Sequence, residues 1–168
     1  MEMTSTPQIS ESRAAAADTR YRIPYPNSKP RAIKVIGLGE GGSRIAQIVA
    51  EGGMRHVQAI AAGATRGGTS EAMVQAIADE NSEIGRAIRG ADMVFVVARD
   101  GDNVALAPAV GQMAHEKGVL VTGILIHEDS AAGPVPDGTL HALRSASDML
   151  VMVSDTEYVQ EMLSALGA

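Results

Sequence analysis

From Ala32 onward the chain alternates short continuous apolar runs with longer segments whose apolar positions recur every three or four residues. Unbroken apolar runs suit strands covered on both faces, and the longer period suits amphipathic helices. The runs predict strands at Ile33–Gly37, His56–Ala61, Asp92–Ala98, Val119–Ile126 and Asp148–Val153. The intervals predict helices over Gly42–Gly53, Thr69–Arg89, Asn103–Lys117 and Thr139–Ser147, with a last one over Asp155–Leu166. Thr69–Arg89 is the best marked, because Met73, Ile77, Ile84 and Ile88 share one face, Thr69 or Ser70 can cap its start and Gly90 can end it. Pro108 is tolerable because it falls near the start of its helix. This alternation implies an α/β fold, a three-layer, doubly wound parallel sheet of about five strands in the order 2-1-3-4-5. Such sheets bind ligands at the carboxyl ends of strands where the winding reverses. With the first and third strands as neighbours, Gly37–Ser43 and Arg99–Asn103 line that crevice.

Residues 1–31 break the pattern. They hold four of the seven prolines, lack apolar periodicity and carry five Lys/Arg against three Asp/Glu, whereas residues 32–168 carry nine against seventeen. A net +2 arm thus precedes a net −8 domain. The arm reads either as a leader without a role or as a strap across an acidic face, with Tyr21, Ile23 and Tyr25 available to dock.

The 168 residues, 45% hydrophobic and 20% charged, fit one compact domain beyond that arm, and no apolar stretch is long enough to cross a bilayer. A membrane is therefore not an expected partner. Absence of cysteine removes disulfides, thiolate nucleophiles and Cys-ligated zinc, and the start lacks a signal-peptide pattern, so a cytoplasmic location is expected. An aromatic content of 2% and a net charge of −6 argue against nucleic acid, which needs stacking surfaces and cationic grooves.

The candidate chemistry begins at Gly37-Leu38-Gly39-Glu40-Gly41-Gly42-Ser43, where a strand meets a helix. Gly37, Gly39 and Gly42 have the spacing G-x-G-x-x-G; such turns bring backbone N–H groups and the positive end of a helix to a phosphate, with Ser43 as an added donor. The bland reading is that the glycines only permit a sharp turn and close helix packing. Glu40 favours that reading unless it points outward. A nicotinamide dinucleotide is a rival ligand, but the second strand ends without the acidic residue that NAD needs, leaving NADP through Arg66.

In the facing segment, Asp100 and Asp102 could hold a divalent cation such as magnesium against a phosphate, or form a hydrophilic turn around Gly101; Arg99 and Asn103 flank them. His127-Glu128-Asp129 leaves the fourth strand at the same edge, but adjacent side chains diverge and a solvated loop is the simpler account. His56, His115 and His141 lie in separate elements, and Ser43 has no identifiable base.

The order of these segments resembles FtsZ, the bacterial relative of tubulin. The resemblance rests on Ile33–Ile36 with Gly37, Gly39, Gly41 and Gly42, on Ala64-Thr65-Arg66-Gly67-Gly68, and on Ile84–Ile88 leading into Gly90-Ala91-Asp92-Met93-Val94-Phe95-Val96. It continues through Ala107–Val110 and Lys117–Gly123, and more loosely over Ala146–Val153. It implies a Rossmann-like nucleotide-binding half over 32–168, with GTP or GDP as ligand, magnesium as cofactor and homo-oligomer formation. The candidate ligand-binding residues are Gly37, Gly39, Gly41, Gly42 and Ser43 in the glycine-rich turn and, from the crevice that the strand order predicts, Arg99, Gly101 and Asn103 in the facing segment.

Three departures temper the resemblance. Arg99-Asp100-Gly101-Asp102-Asn103 stands where the family has the threonine-and-glycine signature loop of tubulin. The segment after the second strand is short, and only one helix follows the fifth strand, without the family's central helix, second domain and hydrolysis-completing loop. The expectation is a reduced FtsZ-like module binding a nucleotide or another phosphorylated small molecule without efficient hydrolysis. The alternatives are a self-associating or partner-binding protein that has lost the ligand, and an NADP-binding or unrelated enzyme using the same crevice.

Overall fold

The computed structural model describes residues 30–63, 79–127 and 137–166. Five strands, β1 (Ile33–Leu38), β2 (Val57–Ala62), β3 (Met93–Arg99), β4 (Leu120–Ile126) and β5 (Met149–Val153), form one parallel sheet in the order β2-β1-β3-β4-β5. Helices α1 (Gly39–Glu51), α2 (Glu83–Arg89), α3 (Ala107–Glu116), α4 (Asp137–Ala146) and α5 (Glu157–Ala165) flank it. The expected fold class and strand order are those observed, and the strand bounds fall within one residue of the sequence reading.

The apolar runs explain the layering. Successive side chains of a strand point to opposite faces, so a strand covered on both sides must be apolar at every position. In β3, Val94, Val96 and Ala98 face α2, α3 and α4 together with Ile88, Val110 and Leu143. Phe95 and Val97 face the other way, into a cluster with Ile45 and Val49 of α1 and Val159 and Leu163 of α5. Each fully buried Val, Leu or Ile contributes about 1.5–3 kcal/mol of transfer free energy, which makes these two clusters the main source of stability.

Register places the crevice. Ile33 pairs with Val57 on one side and Met93 on the other, so β1, β2 and β3 begin level and their carboxyl ends emerge side by side. β1 and β3 are neighbours, and the segments leaving them, starting at Gly39 and Asp100, face each other.

The helix expected over Thr69–Arg89 does not run unbroken. Thr69, Ser70, Met73 and Ile77 lie outside the described residues, and Asp79–Ser82 forms a turn ahead of α2. Asp79 accepts the Asn81 N–H on its carboxylate at 2.8 Å and the Ser82 N–H on its carbonyl at 2.9 Å. Ser82 then accepts the Gly85 N–H at 2.9 Å and starts α2. Short polar side chains that bind nearby backbone compete with helix continuation, and here they prevail over apolar periodicity. At the other boundaries, α1 starts three residues earlier than expected, at Gly39, and α3 starts four later, at Ala107, with Pro108 in its first turn.

Candidate functional site

Four glycines build the turn from β1 into α1, and they act in two pairs. A Cβ on Gly37 would lie 2.0 Å from the Gly42 carbonyl oxygen, and one on Gly42 would lie 2.2 Å from the Val97 carbonyl oxygen. These two let α1 press against the backbones of β1 and β3. Gly39 has φ +69°, a conformation that glycine adopts without penalty, and a Cβ there would lie 2.6 Å from the Asp102 Cβ. A Cβ on Gly41 would lie 2.6 Å from the Arg99 Cβ and 2.8 Å from Asp102 Oδ2. The second pair makes room for the facing loop.

The first turn of a helix leaves N–H groups without intrahelical acceptors, and Leu38, which precedes α1, offers no side-chain cap. Asp102 supplies the acceptor from 60 residues away. The Gly41 N–H donates to Asp102 Oδ1 at 2.9 Å and the Gly42 N–H to Oδ2 at 2.8 Å. The Arg99 N–H donates to the same Oδ2 at 2.7 Å. Three backbone donors, two from the first turn of α1 and one from the end of β3, thus converge on one carboxylate at the positive end of α1.

The facing loop is shaped for this. The Asp102 N–H donates back to the Arg99 carbonyl at 3.0 Å, closing a tight turn through Gly101 at φ +79°. Thr139, buried near the start of α4, donates its hydroxyl to the Asp102 carbonyl at 3.5 Å. Asn103 turns its side chain to the Ala105 N–H at 3.1 Å, ordering the approach to α3.

The structure brings Gly39, Gly41, Gly42, Arg99, Gly101 and Asp102 together and uses other expected residues differently. Ser43 is buried and donates to the Gly37 carbonyl at 3.4 Å, away from the crevice. Because α1 begins at Gly39, Ser43 has already passed onto the helix face that packs on the sheet. Glu40 is exposed in the first helical turn, where a carboxylate favours the dipole.

Asp100 and Asp102 take different partners. Asp100 turns to His127, its Oδ2 contacting the ring Nδ1, while its Oδ1 is buried without a hydrogen-bond partner. Among the described residues no group of three His, Cys, Asp or Glu side chains could hold a metal ion. Glu128, Asp129 and Arg66 lie outside the described residues. Sequence reasoning treated Asp102 as a metal ligand or as part of a hydrophilic turn; the Asp-Gly-Asp turn directly opposite a glycine-rich helix start was the signal that it could reach in.

Comparison with known proteins finds relatives of the sequence and of the fold. The chain is 27% identical over 143 residues to the cell division protein FtsZ of Haloferax mediterranei, covering 82% of this chain and 37% of that protein. It is 28% identical over 176 residues to FtsZ of Neisseria gonorrhoeae, with 88% and 44% covered. Among solved structures it matches an empty FtsZ dimer from M. jannaschii with a TM-score of 0.55 at 19% identity, covering 87% of this chain and 56% of that one. The domain is FtsZ-like. No family model matches the chain. The FtsZ-like domain spans about two-fifths of the length of the curated relatives it matches. Among the described residues no helix is long and apolar enough to cross a membrane.

Proposed function

We propose that this FtsZ-like domain binds the phosphate group of a nucleotide, GTP or GDP first among candidates, at the start of α1, and does so without efficient turnover. The observation that supports this is the convergence of the Gly41, Gly42 and Arg99 N–H groups on one anionic group. Donors fixed in that way bind phosphate oxygens by the same geometry and charge. Poor turnover follows from the Asp-rich turn that replaces the family's signature loop. The same proposal takes residues 1–31 as an arm outside the domain and the location as cytoplasmic.

The test is thermal melting with GTP, GDP, ATP, NADPH or no ligand, with and without magnesium, beside Arg99→Glu, which reverses a charge on an exposed side chain at the mouth. A guanine-nucleotide shift reduced in that variant is expected, since a ligand bound only to the folded state raises its stability. No shift at millimolar ligand in wild type and in Asp102→Ala alike sinks the reading. Gly42→Asp is unsuitable as a control, because a side chain there meets the Val97 carbonyl whether or not ligand binds.

A second reading is a partner-binding or self-associating protein. It is favoured by Leu120, Met149 and Met152, which are 61%, 54% and 47% exposed on β4 and the edge strand β5. A stable oligomer whose melting no nucleotide alters would support it.

A further inference from the structure

We infer that Asp102 is an internal ligand of the phosphate seat: its carboxylate takes the place of a phosphate, so a phosphorylated ligand binds only by expelling it. This rests on the reading that the seat takes phosphate, and it adds what regulates that seat.

Both carboxylate oxygens are used, one on Gly41 and the other shared by Gly42 and Arg99, so no donor of this set is left over for a second anion. Gly39 and Gly41 are shaped around this side chain, because a Cβ on either would overlap Asp102 itself. The tether is short: the turn closed by the Asp102 N–H and the Arg99 carbonyl holds the side chain at the seat, giving it the high effective concentration of an intramolecular group. A phosphate entering beside it would place two anions on the same donors, and Asp100 adds a further carboxylate nearby. The two occupants therefore exclude each other. The apparent affinity is then the intrinsic affinity scaled by the fraction of molecules with Asp102 withdrawn; a seat vacated about 1% of the time binds about 100-fold more weakly.

The competing account is that Asp102 is only a long-range cap for α1. A cap predicts lost stability on truncation and nothing more, whereas an internal ligand also predicts gained anion affinity and recovery of stability by that anion. The experiment uses the full chain, wild type beside Asp102→Ala and the near-isosteric Asp102→Asn, titrated calorimetrically with GDP and with inorganic pyrophosphate. Melting curves and the Gly41 and Gly42 amide resonances are recorded for each.

Asp102→Ala is expected to bind at least about tenfold more tightly than wild type, with pyrophosphate restoring melting temperature lost on truncation. Asp102→Asn should lie between, since its amide oxygen still accepts but carries no charge, and it serves alone if the alanine variant does not fold. Equal and measurable affinity in wild type and variants overturns the internal ligand while leaving the phosphate seat intact. No binding by any form, with the two glycine amides shifted by truncation, overturns the phosphate seat and leaves a cap. Unmoved glycine amides overturn the contact itself.

Discussion

The two ends of the sheet use carboxylates in the same way chemically and to different effect. At the amino ends of the strands, Asp92 accepts the Ala32 N–H at 2.7 Å and Asp148 accepts the Val121 N–H at 2.8 Å. Each takes one backbone donor of an adjoining segment beside solvent, and Asp148 adds His115 at 3.2 Å. At the carboxyl ends Asp102 takes three donors, two of them at a helix start. The single clips align neighbouring segments, whereas the triple contact fills the position proposed for a phosphate. The number and origin of the donors, more than the acid itself, separate a structural aspartate from one that occupies a site.

The largest test of this contrast lies in the glycines behind the seat. Gly42→Ala should cost more than about 3 kcal/mol, because the new methyl overlaps the β3 backbone, which has no rotamer with which to yield. Urea unfolding measures it, and a variant within 1 kcal/mol of wild type would mean that α1 can move off β3.

Next in size, Asp102→Ala should lower stability by about 1–3 kcal/mol without ligand, the range for leaving part-buried donors short of their acceptor. The same unfolding assay reads it, and a neutral result would place Asp102 with the single clips.

Smallest is the effect at Asp148. The Val121 N–H, and after it His115, hold its carboxyl below the usual carboxylate range. A lowered folded-state value stabilises the fold above the unfolded carboxylate value, and that contribution is lost as pH falls through the folded value. Asp148→Asn should therefore flatten the acid limb of the stability profile and leave nucleotide titrations unchanged. An altered GDP titration would break the distinction between the two ends.

Much of the fold was legible because β1, β3 and β4 are buried on both faces and write unbroken apolar runs into the chain. The turn at Asp79–Ser82 was less so: Ile84 and Ile88 continue a helical period across it, and only the order of short polar residues marks the stop. At the site, the glycines were legible as a group, since strand, turn and helix are adjacent in sequence. The partner that fills the turn was not, because the Gly41–Asp102 contact spans 61 positions and no local pattern encodes such a pairing. Ser43 was misread for a related reason, as moving the helix start from Gly42 to Gly39 rotates it from the crevice to the sheet.

The contact between Gly42 and the β3 backbone also divides the crevice mechanically. With α1 seated against main chain, that wall behaves as an anvil, unable to slide or rotate without breaking the sheet layer beneath it. The opposite wall, the few residues between Arg99 and Asn103, meets α1 through the Asp102 side chain and is the wall expected to yield first.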